Sequence, residues 1–159
     1  MAVAKPTAEM RDFYSKGTRV WIPHPVSVCQ EAVVENDMKS NGILTLHSVS
    51  DSATVVDLTI KNDGDFPPLV NPDMLLGVNN LTSLSYLHEA AVLCNLRYRF
   101  CELNAIYTYC GIVLVAVNPY LELPVYGPEI MQAYSGADPE AMEPHIYAVA
   151  ETALQNLTK

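Results

Sequence analysis

The stretch Gly111-Ile112-Val113-Leu114-Val115-Ala116-Val117, closed by Asn118-Pro119, constrains this chain more than any other. It is an unbroken apolar run rich in β-branched residues, too short for a membrane span and without helical spacing, so it predicts a strand buried on both faces in the middle of a sheet. Proline has no N–H to give to a ladder, so Asn118-Pro119 ends the strand, and Pro124 keeps the following loop extended as far as Tyr126. A stiff loop at the carboxyl end of a central strand is where open α/β sheets bind nucleotides. Fixed backbone groups and flat side chains can meet a flat heterocycle there, and a tyrosine hydroxyl can bond its polar edge. Taken alone the signal is unspecific, since Asn-Pro is a common opening for a loop.

The flanking residues make it specific. Thr108-Tyr109-Cys110 leads into the run, and Asn118-Pro119 is followed at a fixed distance by Tyr126. Upstream stand Leu81-Thr82-Ser83-Leu84-Ser85-Tyr86-Leu87-His88-Glu89 and Val92-Leu93-Cys94-Asn95-Leu96-Arg97-Tyr98-Arg99-Phe100. Downstream stand Ala133-Tyr134-Ser135-Gly136 and Pro144-His145-Ile146-Tyr147-Ala148-Val149-Ala150-Glu151. In this order and spacing the blocks resemble the start of myosin motor domains, and the loop is similar to their purine-binding loop. The wording is nearest to class V myosins and the related plant class XI, and it covers nearly everything from Asn71 onward. The resemblance implies that Asn118, Pro119 and Tyr126 contact the adenine of ATP, with Tyr120 and residues 121–125 shaping the loop. Some myosins carry a basic residue near Leu123, which this chain lacks.

Composition sets the outer limits. A chain of 159 residues, half of them apolar, can bury a core as one domain or two small ones. Its net charge of −9 argues against a nucleic-acid footprint and against adhesion to an anionic membrane, both of which need a basic patch. Residues 1–13 carry scattered charges and no apolar stretch of signal-peptide type, and no run is long enough to span a bilayer. Cys29, Cys94, Cys101 and Cys110 form no Cys-x-x-Cys pair, which points to reduced thiols of a cytosolic protein.

Along the chain, residues 1–15 read as a flexible leader. Short β-branched runs follow at 17–23, 30–35, 42–47 and 53–60, separated by turn clusters at Asn36-Asp37, Ser40-Asn41-Gly42, Ser50-Asp51-Ser52 and Lys61-Asn62-Asp63-Gly64. So many short strands in residues 16–65 predict a small barrel or meander. Thr18-Arg19-Val20-Trp21-Ile22-Pro23 with Pro25 resembles the opening of the SH3-like (Src-homology-3-like) barrel at the N-terminus of many myosins, although the class V pattern tends to have tryptophan near Val28-Cys29. Trp21 reads either as a core residue of that barrel, the preferred account, or as part of a groove for a proline-rich ligand. Phe66-Pro67-Pro68-Leu69 reads as an extended linker.

Residues 66–159 form the second expected unit. Asn80 is placed to cap the segment that starts at Leu81, and the apolar positions from Leu84 to Phe100 predict two short helices or one bent one. His88 beside Glu89 has no third group at a catalytic spacing and reads as structural or exposed. Arg97 and Arg99 are expected to pair with acidic neighbours on a helix face rather than to hold phosphate. Pro128 starts a short helix ending near Gly136. Pro144 opens another, with Ile146, Val149, Ala150, Ala153, Leu154 and Leu157 on one apolar face and Asp138, Glu140 and Glu143 before its positive end.

Hydrolysis of ATP needs amides and a lysine around the phosphates, groups near Mg²⁺ and a residue to position water. No Gly-x-x-x-x-Gly-Lys-Ser/Thr loop is present, so no catalytic residue and no metal ligand is assigned. The resemblance implies an α+β and α/β chain: a small SH3-like barrel, then the first helices and a central strand of a P-loop NTPase-type motor core, truncated before its P-loop. A strand apolar on both faces also needs neighbours that the remaining residues do not supply, so residues 66–159 are not expected to hold a stable fold in isolation. The implied parent is an actin-based, ATP- and Mg-dependent cytoplasmic motor associated with the cytoskeleton. Its partners would be actin filaments, calmodulin-like light chains and the remainder of the motor domain. A non-enzymatic SH3-like interaction module and an inert fragment are the alternatives.

Overall fold

The computed structural model describes residues 6–38, 41–51, 54–138 and 141–158. Ser40, Ser52, Ala53 and Glu140, which figure in the turn, strand and helix-end expectations, lie outside them. The chain divides into two compact units, Met1–Asn71 and Pro72–Lys159.

The first unit is an antiparallel meander of β1 (Arg19–His24), β2 (Val28–Val34), β3 (Ile43–Ser48) and β4 (Val55–Thr59), in that spatial order. Side chains alternate across the pleat, so Val20 and Ile22, Ala32 and Val34, and Leu44 and Leu46 all point to one face and make its core. Burying each of these larger side chains stabilises the fold by roughly 1.5–3 kcal/mol. Trp21 falls on the opposite parity and is half-buried outside that core, so neither its strand position nor its burial makes it the core residue expected. Its Nε1 is buried without a hydrogen-bond partner.

Two segments outside the strands complete this unit, and both differ from expectation. Residues 6–15 carry the helix α1 (Ala8–Asp12), capped by Thr7, and deliver Tyr14 to the core rather than forming a mobile leader. Tyr14 stacks on Phe66 at 4.4 Å and donates its hydroxyl hydrogen to Pro67 O at 2.8 Å. Phe66-Pro67-Pro68-Leu69 is likewise no spacer. Trp21 N donates to Pro68 O and Val70 N to Arg19 O, so this segment runs along the open edge of β1 and protects it.

In the second unit, Asn80 caps a single 3-10 turn (Leu81–Ser83), and α2 (Glu89–Cys101) comes next. His88 is the cap of α2, its Nδ1 accepting from Ala91 N at 3.2 Å, which is the structural role expected for it. The strand predicted over Gly111–Val117 is shorter than expected, because Gly111 and Ile112 form a turn at its start. β5 (Tyr107–Cys110) and β6 (Val113–Ala116) form a hairpin in which Cys110 faces Val113 across a two-residue turn. Gly111 takes φ +59°, open to glycine without a Cβ penalty, and this lets the chain reverse at the start of the apolar run, so that the run pairs with the residues just before it. Ile112 at the tip is fully exposed, so the run is not buried on both faces. The helices α3 (Pro128–Tyr134) and α4 (Ile146–Leu157) come last. His145, not Pro144, is the residue that caps α4. Ile146, Val149, Ala150, Ala153, Leu154 and Leu157, the apolar stripe predicted on that helix, are all exposed, while Ala148 is its buried residue.

Candidate nucleotide-base loop and its aromatic support

The loop starts where Val117 N donates to Ile106 O at 2.9 Å. Asn118 Oδ1 then accepts from Tyr120 N at 2.8 Å, a side-chain turn that holds Tyr120 at φ +52°. Its ring is 92 % exposed. Pro119 is half-buried. Asn118, Pro119 and Tyr120 therefore form one rigid corner at the loop's entry.

Tyr126, at the loop's exit, belongs to a different set of partners. Its hydroxyl lies 2.8 Å from that of Tyr107, and its carbonyl accepts from Tyr147 Oη at 2.8 Å. The preceding carbonyl, of Val125, is 3.0 Å from His145 Nε2. Among the described residues no hydrogen bond joins Tyr126 to Asn118, Pro119 or Tyr120, so the four expected residues occupy two ends of the loop and not one cluster. A cavity of about 390 Å³ lies beside the exit, with Val125, Tyr107, His145 and Arg99 in its wall. None of the four expected residues lines it.

The imidazole of His145 is the centre of the support. It is 6 % exposed, stacks on Tyr134 at 5.0 Å, and meets Tyr107, Tyr126 and Tyr147 at 5.2, 5.8 and 4.7 Å between ring centroids. Burial lowers its pKa below the ordinary histidine value, with the bond to Val125 O opposing in part. The Tyr107 hydroxyl is pushed up to about 12, first by burial and then by the hydrogen bond to Tyr126. Burial also raises Tyr109 and Tyr134, the second helped by the nearby carboxylate of Glu143.

Arg99 ties this platform to α2. It is 2 % exposed and donates through Nε to Thr108 Oγ1 at 2.9 Å, through one terminal nitrogen to Gly77 O and Asn79 Oδ1, and through the other to Tyr107 O at 3.0 Å. Its link to Glu143, at 3.6 Å, is the longest of these contacts. The guanidinium is thus consumed by the protein's own oxygens. Arg97 is exposed on the other side of the helix. Among the described residues no group of three His, Cys, Asp or Glu side chains could hold a metal ion.

A family model for the myosin head, or motor domain, matches residues 78–159, the stretch that holds α2, the hairpin, the loop and its support. The chain belongs to the myosin head family. It is 49% identical over 149 residues to unconventional myosin-Vb of Rattus norvegicus, and equally so to unconventional myosin-Va of Homo sapiens, in each case across 93% of this chain. Myosin-J heavy chain of Dictyostelium discoideum is 39% identical across 91% of it. The chain spans 8% of the length of the first two myosins and 6% of the third. These matches support the class V resemblance read from the sequence, and they include the loop.

Sequence reasoning named the loop residues but missed what holds them. His145 and Tyr147 open α4, whereas Tyr107 belongs to β5 and Tyr134 to α3, and periodicity does not signal that these elements meet. The one local sign was a histidine immediately before an apolar helix, a position where a side-chain acceptor is favoured.

Proposed function

We propose that this chain is the front of an actin-based, ATP-driven motor of class V type and contributes the adenine-binding part of its nucleotide site. The observation that carries the reading is the 49% identity to class V myosins over a stretch that includes the Asn118-to-Tyr126 loop. Asn118 Oδ1 is committed to the turn with Tyr120, which leaves its amide NH₂ to donate to a ring nitrogen. Pro119 and Tyr120 offer a rigid corner, and Tyr126 closes the far end. In this reading the meander of the first unit is the SH3-like barrel, and the second unit, from Pro72, begins the P-loop NTPase-type core. ATP and Mg²⁺ are held by the whole motor and not tightly by this stretch alone, because the phosphate-binding groups come later in the family's motor domains. Actin filaments, calmodulin-like light chains and the rest of the motor domain are the partners, and the setting is cytoplasmic and cytoskeletal. The exposed apolar stripe of α4 is suited to packing against that remaining domain.

The reading is tested first by the mass of the endogenous polypeptide detected with an antibody against residues 16–65. A band several times larger than 17.5 kDa supports the motor. A band at 17.5 kDa alone removes it and favours an adaptor or an inert fragment. In the larger polypeptide, Asn118→Ala and Tyr126→Ala should weaken ATP binding by about tenfold, a few lost hydrogen bonds, and leave inorganic tripolyphosphate binding unchanged.

A further inference from the structure

His145 stands between the end of the loop and the start of α4, and each ring nitrogen serves one of them. Nδ1 accepts from Tyr147 N at 3.1 Å and caps the helix. An accepting nitrogen carries no proton, so the single proton of the neutral ring sits on Nε2 and is donated to Val125 O at 3.0 Å. One tautomer satisfies both partners. The next carbonyl along, that of Tyr126, is held by Tyr147 Oη from the first turn of the same helix. Two successive loop carbonyls are therefore bound to one helix N-terminus.

We propose that His145 is the positioning residue of the loop, fixing its Val125–Tyr126 end to α4 so that the Tyr126 side chain is presented at one place. The consequence for adenine rests on the purine-binding proposal; the fixing itself does not. A role in packing alone would need only a flat ring among Tyr107, Tyr126, Tyr134 and Tyr147. It would not need an acceptor on one side and a donor on the other. The neighbouring groups agree with a neutral ring: four tyrosines surround it, Tyr109 is bonded to its backbone, and Glu143 two residues earlier is engaged with Asn79 and Arg99.

The test uses the endogenous-length polypeptide that carries these residues, without nucleotide. Nitrogen NMR of labelled histidine should show the Nε2–H tautomer with a slowly exchanging ring proton; the Nδ1–H tautomer overturns the proposal. Two variants then separate the functions. His145→Asn places an acceptor near Nδ1 and should keep the Tyr147 amide slow to exchange while the Tyr107 hydroxyl titrates lower than in the parent. His145→Gln reaches towards Val125 and should do the reverse, with Tyr147 exchange faster by about tenfold for the lost cap. Equal loss of both signals in both variants, or of neither, means packing only and sinks the idea. If neither variant folds, the wild-type tautomer decides. Because no nucleotide is present, failure of the purine reading leaves all of these signals in place.

Discussion

The hydroxyl oxygens of Tyr107 and Tyr126 lie 2.8 Å apart, joining the first residue of β5 to the last residue of the loop. The bond favours the neutral phenols, and with burial it pushes Tyr107 up to about 12. A tyrosine whose folded pKa is raised contributes stability that is complete below pH 10, the unfolded value, and is lost as pH rises towards 12. Tyr126→Phe removes one cause and leaves burial, so Tyr107 should titrate lower than in the parent but still above 10. Carbon NMR of ring-labelled tyrosine, with Tyr107→Phe for assignment, reads this directly. An unmoved Tyr107 would show that the two hydroxyls do not bond.

Arg99 and Glu143 form an ion pair whose two halves differ in worth. Glu143 has an exposed side chain and stands 3.6 Å away, so Glu143→Gln should cost under about 1 kcal/mol. Arg99 is buried and satisfies oxygens of Thr108, Gly77, Asn79 and Tyr107. Arg99→Met leaves those acceptors without their donor and should cost about 3–5 kcal/mol. Urea midpoints of the second unit in the two variants give the comparison. Equal losses would mean that the ion pair, not the fan of hydrogen bonds, is what Arg99 supplies.

The neutral state required of His145 makes the second unit sensitive to acid. Its folded pKa lies below 6.5 while the unfolded chain keeps the ordinary value, so the unfolded state binds the proton more readily. Stability is therefore full above pH 6.5 and falls as pH drops below it, until the folded pKa is reached. Denaturant midpoints of the second unit, followed from mildly alkaline to mildly acidic buffer, should decline in the parent and stay nearly level in His145→Asn. A parent curve as flat as the variant's would remove His145 from this role.

The first unit was legible because its signal is local. Alternation of Val20 with Trp21 and Ile22, or of Leu44 with Thr45 and Leu46, fixes both strand and face over a few residues. Gly111–Val117 shows where that logic ends. A short apolar run looks the same whether it crosses a sheet or pairs only with the residues just before it, and only Gly111 hinted at the turn. On α2 the apolar residues misled differently. The buried stripe is Ala91, Asn95 and Arg99, a four-residue repeat that includes an amide and a guanidinium. Those groups are buried because oxygens from residues 77–79 and 107–108 meet them, and such partners are set by the tertiary fold. The loop was named through resemblance, whereas His145 became visible only when Tyr107, Tyr126 and Tyr134, all distant in sequence, were brought around it.

Gly77 supplies both an amide and a backbone oxygen to that buried network. Its N–H donates to Asn95 Oδ1 at 2.8 Å and its carbonyl accepts from Arg99, and it takes φ +81° to present both. A Cβ there would lie 2.8 Å from the Tyr98 ring, in addition to the cost of a left-handed conformation for a residue with a side chain. Gly77→Ala should therefore destabilise the second unit by about 1–3 kcal/mol, well beyond the few tenths typical of an exposed loop. Amide exchange would place the damage: Ala105 N, which bonds to Arg99 O, should exchange faster, while Val34 and Leu46 in the first unit keep their parent rates. Parent-like stability in Gly77→Ala would mean that the turn at 77 relaxes without disturbing Arg99, and that the network tolerates a shift at its edge.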